Sequence, residues 1–228
     1  MKRLLRCTLL AMALLAGFSC KKAPAPVLDD TFIETGDLLF VGIPMNYGDD
    51  NMAQAIADAT SSGDTVNFIH TAILEVDKEG AVWVIDATIA YGVDRHPLDT
   101  LLKQFTLHRG GTATFEVMRL ADDRQVQSYV EKAKTWLGEP YDSSFLPENG
   151  KHYCTELVYD AYVDSDGNHR FETVPMNFKN KEGEMPSYWV RLFAELGEPV
   201  PQGVSGTNPQ QFHASPALVH VMYLQGAE

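Results

Sequence analysis

Two apolar runs separated by a four-residue polar turn constrain the fold of this chain more than any other feature. The runs are FIHTAILEV (68–76) and AVWVIDATIA (81–90), and the turn between them is DKEG. The β-branched and aromatic residues of both runs, with a glycine in the turn, predict a β-hairpin. Because paired strands place same-face side chains side by side, Asp86 of the second run is predicted to lie beside His70 of the first. The alternative is that Asp86 caps the turn that follows its strand.

Further strand and helix patterns surround this hairpin. Alternating or continuous apolar residues predict strands, and a spacing of three to four residues predicts helices. Short central strands with helices toward both ends favour an α+β domain. The stretch around Asp94, Arg95, His96 and Pro97 is interpreted as a polar loop. The additional predicted strands are 37–43, 112–120 and 217–224, and the predicted helices are 51–60, 97–105, 126–137, 154–162 and 187–196.

The N-terminus has the pattern of an export signal. Basic residues precede an apolar run that is too short to span a bilayer comfortably, which is typical of a signal peptide rather than a transmembrane anchor. Cys20 then matches the lipid-acceptor position of a bacterial lipoprotein signal; cleavage without lipidation is the alternative. We expect a signal peptide at 1–19, a lipidated tether at 20–31 and a folded domain at 32–228, in an exported protein anchored in the cell envelope.

The charge balance excludes one class of partner. The chain carries 31 acidic and 18 basic residues, for a formal net charge of −13, and no basic run stands out. Nucleic-acid binding requires clustered Lys and Arg that neutralise phosphates, so a nucleic-acid partner is not expected. No clustered Cys, His and carboxylate spacing suggests a metal site, and no cofactor is expected.

One cysteine stands out once the N-terminus is set aside. Cys7 would leave with the signal and Cys20 would carry lipid, so Cys154 is the only remaining thiol in a compartment that pairs thiols. It begins an apolar-periodic helix, where free backbone N–H groups favour a thiolate and can hold an oxyanion. A buried cysteine acting as a small apolar residue is the alternative. As a nucleophile, Cys154 would need a base and an orienting acid, for which His70 and Asp86 are the candidates.

Four sequence blocks resemble those of NlpC-type cysteine peptidases, in a changed order. GDLLFVG (36–42), HTAILEV (70–76) and VIDA (84–87) resemble blocks that follow the cysteine block in those enzymes. Here the block that resembles the cysteine block, GEPYDSSF…YCTELVYDAY (138–162), comes last. This order is similar to that of the permuted papain-like amidases of the YiiX-like branch, over about residues 34–220. The resemblance implies a circularly permuted papain-like fold, with a central antiparallel sheet packed with helices.

The resemblance also implies a role for each matched residue. Cys154 takes the position of the nucleophile, His70 that of the base and Asp86 that of the orienting polar group. Tyr141 and Tyr153, which lie near the thiol in the matched block, are expected to contact substrate. The implied enzyme is a cysteine amidase or peptidase that forms a thioester and needs no metal.

Three functions remain open from the sequence. The first is a cell-envelope hydrolase that cleaves an amide bond of a peptidoglycan-type peptide. The second is a lipid amide or ester hydrolase, or an acyltransferase, of the same fold, motivated by the expected membrane tether. The third is a binding lipoprotein without catalytic activity that uses the same cleft. The expected partners are therefore a peptide or lipid-amide substrate and, through the N-terminal lipid, a membrane.

Overall fold

The computed structural model describes residues 32–63, 65–105, 113–121 and 124–226. The predicted signal peptide and tether, including Cys20, lie outside these ranges, so their assignment stays a prediction. Among the described residues, no helix is both long enough and apolar enough to cross a membrane.

The described residues form one large antiparallel sheet and one small ribbon. The strands are β1 (Leu38–Pro44), β2 (Val66–Val76), β3 (Val82–Thr88), β4 (Gly92–Pro97), β5 (Thr114–Leu120), β6 (Val174–Pro175), β7 (Ser205–Gly206) and β8 (Leu218–Leu224). Six of these described strands make the large sheet, in the order β4-β3-β2-β1-β5-β8, and β6 pairs with β7. Every neighbouring pair in the large sheet is antiparallel. The predicted hairpin is the β2–β3 pair.

Helices cover both faces of the sheet because β1, at its centre, is apolar on both. Leu38 and Phe40 belong to one core with residues of helices α3 (Val126–Lys134) and α4 (Cys154–Ala161). Leu39 and Val41 belong to a second core with residues of helices α1 (Met52–Thr60) and α2 (Leu98–Gln104). This alternation is what a strand buried on both sides requires. The helices are α1 (Met52–Thr60), α2 (Leu98–Gln104), α3 (Val126–Lys134), α4 (Cys154–Ala161), α5 (Ser187–Leu196) and α6 (Pro209–His213).

The structure corrects one prediction of secondary structure. The stretch interpreted as a polar loop is the edge strand β4, which pairs with β3 along its whole length. Its residue Arg95 has an aromatic and a charged partner: the guanidinium lies 4.0 Å from the centre of the Trp83 ring, and its Nε donates to Glu75 at 2.6 Å. An edge strand with such partners lacks the apolar pattern that predicts strands.

Candidate active site

His70 lies at a β-bulge in β2. Val41 of β1 pairs with His70, but the next residue, Gly42, pairs with Phe68, so Ile69 is an extra residue on β2. A bulge bends its strand and changes the direction in which the neighbouring side chain points, and bulges are frequent beside active sites. The His70 ring is thereby buried, and it lies against the Phe105 ring with 5.1 Å between ring centres.

Asp86 lies beside His70, as the hairpin predicts. Asp86 Oδ2 is 2.7 Å from His70 Nε2, and the carboxylate is only 1% exposed. Burial by itself would raise the pKa of Asp86, but hydrogen bonds from His70 and His96 hold that pKa below its usual range. Asp86 is therefore an ionised, buried partner of His70, and both of its oxygens bond to histidines instead of capping the following turn.

Cys154 is the first residue of α4, which packs against β2 and β3. This packing brings the thiol close enough to His70 to raise the pKa of its ring. Since His70 Nε2 is bonded to Asp86, Nδ1 is the ring nitrogen left for the thiol. Burial alone would lower the pKa of His70, but its bonds with Asp86 and Cys154 raise that pKa to about 10. At neutral pH the ring is an imidazolium, the form that stabilises a neighbouring thiolate.

The cysteine opens into a cleft of about 270 Å³ with mainly apolar walls. Both predicted substrate residues, Tyr141 and Tyr153, line this cleft. The Tyr153 hydroxyl accepts a hydrogen bond from the Thr207 N–H at 3.0 Å, whereas the Tyr141 hydroxyl is 3.7 Å from the sulfur of Met52. The other large side chains on the walls are Ile56, Phe145, Pro175, Met176, Phe178, Trp189 and Pro209. These come from α1, β6, α5, α6 and two loop stretches, one at Phe145 and one at 176–178.

A buried acid stands two residues after the thiol. Burial and the nearby Asp142 carboxylate raise the pKa of Glu156 to about 8. Glu156 Oε2 accepts from the Tyr153 N–H at 3.4 Å, at the start of α4. At neutral pH this carboxyl is uncharged, so it adds no negative charge next to a Cys154 thiolate.

Two further histidines lie near the site, one in space and one in sequence. His96, in the stretch interpreted as a polar loop, lies on β4 with its Nε2 3.1 Å from Asp86 Oδ1. Recognising β4 as a strand would have placed His96 opposite Val84 and beside Asp86. His152, only two residues from the thiol, has its Nδ1 3.0 Å from Glu139 and its Nε2 3.4 Å from Asp160. Proximity in sequence to the cysteine therefore did not identify its base.

Comparisons with known proteins bear on the family and the fold of this chain. Residues 32–222 match the model of a family described as permuted papain-like amidase enzymes, YaeF/YiiX, C92 family. The chain is also 26% identical to the uncharacterized protein YiiX of Escherichia coli strain K12 over 192 residues, which cover 82% of this chain and 85% of the relative. A crystal structure of YiiX from Escherichia coli O157:H7, described as a metalloprotein, superposes with a TM-score of 0.63 at 25% identity, covering 84% of this chain and 97% of that one.

Proposed function

Because the chain belongs to the permuted papain-like amidase family and is a cysteine hydrolase of amide bonds, we propose that it cleaves a peptidoglycan-type peptide, or a related amide, in the cell envelope. The family match over residues 32–222 confirms the predicted fold and the predicted enzyme class. We further propose that cleavage passes through a thioester on Cys154. The observation that carries this residue assignment is the buried series of contacts from Cys154 to His70 and on to Asp86.

The first step of the proposed mechanism activates the thiol. The proton that Cys154 and His70 share stays on His70 Nδ1, so the site holds an imidazolium paired with a thiolate. Asp86 accepts from His70 Nε2, which fixes the ring orientation and stabilises its positive charge. The thiolate attacks the amide carbonyl, and backbone N–H groups at the start of α4, including that of Cys154, stabilise the oxyanion.

The second half of the cycle releases the two products. His70 Nδ1 gives its proton to the leaving amine, the C–N bond breaks, and the acyl group remains on Cys154 as a thioester. A water molecule then loses a proton to His70 Nδ1 and attacks the thioester carbonyl. The C–S bond breaks, the carboxylic acid leaves, and the thiolate–imidazolium pair is restored. The cycle uses these side chains, the backbone N–H groups at the start of α4 and water.

The proposed location follows from the N-terminus. Export with lipid attachment at Cys20 would hold the enzyme at a membrane surface within reach of envelope peptides. These residues lie outside the described ranges, so the location rests on the sequence pattern. Mass spectrometry of the protein from a bacterial host tests it: we expect loss of residues 1–19 and a lipid mass on Cys20, and an unmodified N-terminus would contradict the anchor.

The cleft supports a second candidate, a lipid amide or ester hydrolase or an acyltransferase. Its walls next to Cys154 include Phe145, Phe178 and Trp189, which favour an apolar acyl group over a strongly polar one. The thioester chemistry is the same in either case. What differs is the acyl donor that fills the cleft and the acceptor, water or another molecule, that receives the acyl group.

The description of the related structure as a metalloprotein raises the question of a metal here. Within the described residues, no group of three or more His, Cys, Asp or Glu side chains is arranged to hold a metal ion. Asp86 instead accepts hydrogen bonds from His70 and His96. The described donor set does not fit a metal, and no step of the proposed mechanism passes through one.

One experiment separates the two candidates. The protein is incubated with a panel of muropeptides and, in parallel, with N-acyl amides and acyl esters of increasing chain length. Released fragments and the intact mass of the enzyme are then measured, with Cys154→Ala as the control. Fragments from muropeptides, with a matching acyl mass on Cys154, would support the peptide proposal. An acyl mass that forms only with lipids would replace it with the lipid candidate.

A further inference from the structure

The carboxylate of Asp86 has a second histidine partner that the proposed mechanism does not use. His96 Nε2 is 3.1 Å from Asp86 Oδ1, while His70 Nε2 is 2.7 Å from Asp86 Oδ2. The three side chains come from neighbouring strands, β2, β3 and β4, and each is less than 10% exposed. His96 therefore reaches Asp86 from β4, which lies on the other side of β3 from the strand that carries His70.

The surroundings of His96 favour its charged form. Its Nδ1 is 3.3 Å from the carbonyl oxygen of Pro97, and its Nε2 faces Asp86. A neutral imidazole has one N–H, whereas an imidazolium has two and can satisfy both acceptors. Burial alone would lower the pKa of His96, but the hydrogen bond to Asp86 raises it above its ordinary value. Geometry and charge thus agree on an imidazolium.

We propose that His96 is a positioning residue of the active site: as an imidazolium it keeps Asp86 ionised and oriented toward His70. This inference rests on the proposed thiolate mechanism and extends it to a fourth side chain. With the thiolate of the proposed mechanism formed, the site would alternate in charge along the series Cys154 (−), His70 (+), Asp86 (−) and His96 (+).

Asp86 needs a second positively charged partner at one stage of the catalytic cycle. When His70 gives its proton to the leaving amine, Asp86 loses the positive charge beside it while remaining buried. An uncompensated buried carboxylate is costly, and that cost would oppose the proton transfer. His96 supplies a positive charge that stays in place throughout, so Asp86 remains stabilised when His70 is neutral.

The other ionisable groups near His96 contribute less. Asp94, on the same strand, also favours the charged form of His96. Helix α2, which packs on β3 and β4, carries Asp99 and Lys103, but these are mostly exposed and pair with each other at 3.5 Å. The experiment must therefore isolate the interaction between Asp86 and His96.

The rate at which iodoacetamide alkylates Cys154, measured against pH on the peptide containing that residue, tests the proposal without a substrate. Removing a positive charge raises the proton affinity of the groups that remain, so the thiolate should form only at higher pH. We expect His96→Leu to move the acid limb of the profile up by about one pH unit, which is about tenfold slower alkylation on that limb. His96→Gln keeps an N–H donor without the charge, and a smaller shift in the same direction is expected.

The matched control is His220→Gln, which removes a histidine bonded to another buried carboxylate, Glu116, at 2.8 Å. Its profile should superpose on that of the wild type. A His96→Leu protein that retains the wild-type circular dichroism spectrum and also has the wild-type profile would overturn the proposal, because a purely structural histidine predicts that result.

A measurement on the wild-type protein tests the proposal even if the His96→Leu variant does not fold. Nitrogen-15 NMR of labelled histidines reports the protonation of each ring nitrogen. Two protonated nitrogens on His96 at pH 7 are expected, and a neutral ring there would overturn the inference. If the wild-type thiol reacts no faster near pH 6 than a model thiol, the thiolate mechanism fails instead, and the NMR result still decides the state of His96.

Discussion

Two buried carboxylates in the described part of the chain are each bonded to two histidines, and they differ in what lies beside them. Asp86 bonds to His70 and His96. Glu116 on β5 has His213 Nε2 at 2.9 Å and His220 Nδ1 at 2.8 Å. Only the Asp86 cluster lies against a thiol. Comparing the two clusters therefore separates the structural role of a histidine–carboxylate pair from a catalytic one.

The Glu116 cluster belongs to the packing of the sheet. His213 stacks on Phe68, with 3.8 Å between ring centres, and meets Phe40 edge to face. It thereby ties α6 to the apolar core, and His220 ties the edge strand β8 to β5. A histidine held by a carboxylate is thus a stable structural unit in this fold. It becomes a candidate for catalysis at His70 because the start of α4 places Cys154 against the ring.

The largest effect is expected when the thiol, which distinguishes the Asp86 cluster from the Glu116 cluster, is removed. Replacing the nucleophile with Cys154→Ala leaves the histidine–carboxylate cluster intact but without a thiol, as at Glu116. We expect amide hydrolysis to fall by about 10⁴-fold or more, the scale seen when a catalytic nucleophile is removed. Turnover of the substrate found in the panel above measures this loss. Residual activity within tenfold of the wild type would show that Cys154 is not the nucleophile.

Matched amide substitutions compare the two acids directly. Asp86→Asn keeps the shape but presents no charge to His70, and we expect a fall in kcat of about 10²- to 10⁴-fold. Glu116→Gln makes the same chemical change at the structural cluster. It should lower stability by about 1–3 kcal/mol, because two histidines lose a charged acceptor, with little change in kcat. Equal losses of kcat in the two variants would contradict the functional distinction.

Another buried acid, Glu156, shows how a carboxyl behaves without a histidine partner. Among the contacts observed, it shares no hydrogen bond with a histidine. Its pKa rises from an ordinary 4.5 to about 8 in the folded protein. Between these pH values the folded state holds a proton that the unfolded state has released, so the stability that this carboxyl contributes falls as pH rises. In Glu156→Gln that fall should disappear. Urea unfolding from pH 5 to pH 9 checks this; parallel wild-type and variant curves would contradict the neutral carboxyl.

The smallest effect is expected at the exposed end of the structural cluster. The His220 side chain is 46% exposed, and its bond to Glu116 is therefore screened by water. His220→Gln should change the free energy of unfolding by about 1 kcal/mol or less. His213 is more buried and stacked on Phe68, so His213→Gln should cost more. Urea titrations of both variants measure the two losses in free energy of unfolding. A larger loss for His220→Gln than for His213→Gln would contradict this prediction.

Much of the site could be predicted because its signals are local. Strand periodicity with a polar turn predicted the hairpin, and the hairpin placed Asp86 beside His70, where the structure has it. The apolar periodicity that begins at Cys154 predicted a helix starting at the thiol, which α4 confirms. The order of the sequence blocks predicted the permuted papain-like family, which the family match confirms. The catalytic roles of these residues stay predictions.

What could not be predicted depends on contacts between distant residues. The strand that carries His96 has charged partners from other strands, Glu75 among them, and so lacks the apolar alternation that marks a strand within its own sequence. The bulge before His70 appears only in the register against β1. The cleft is assembled from α1, β6, α5, α6 and loops that are far apart along the chain. The pattern of apolar and polar residues in a sequence indicates which side chains are buried. Which of these buried side chains contact one another depends on how the strands and helices pack.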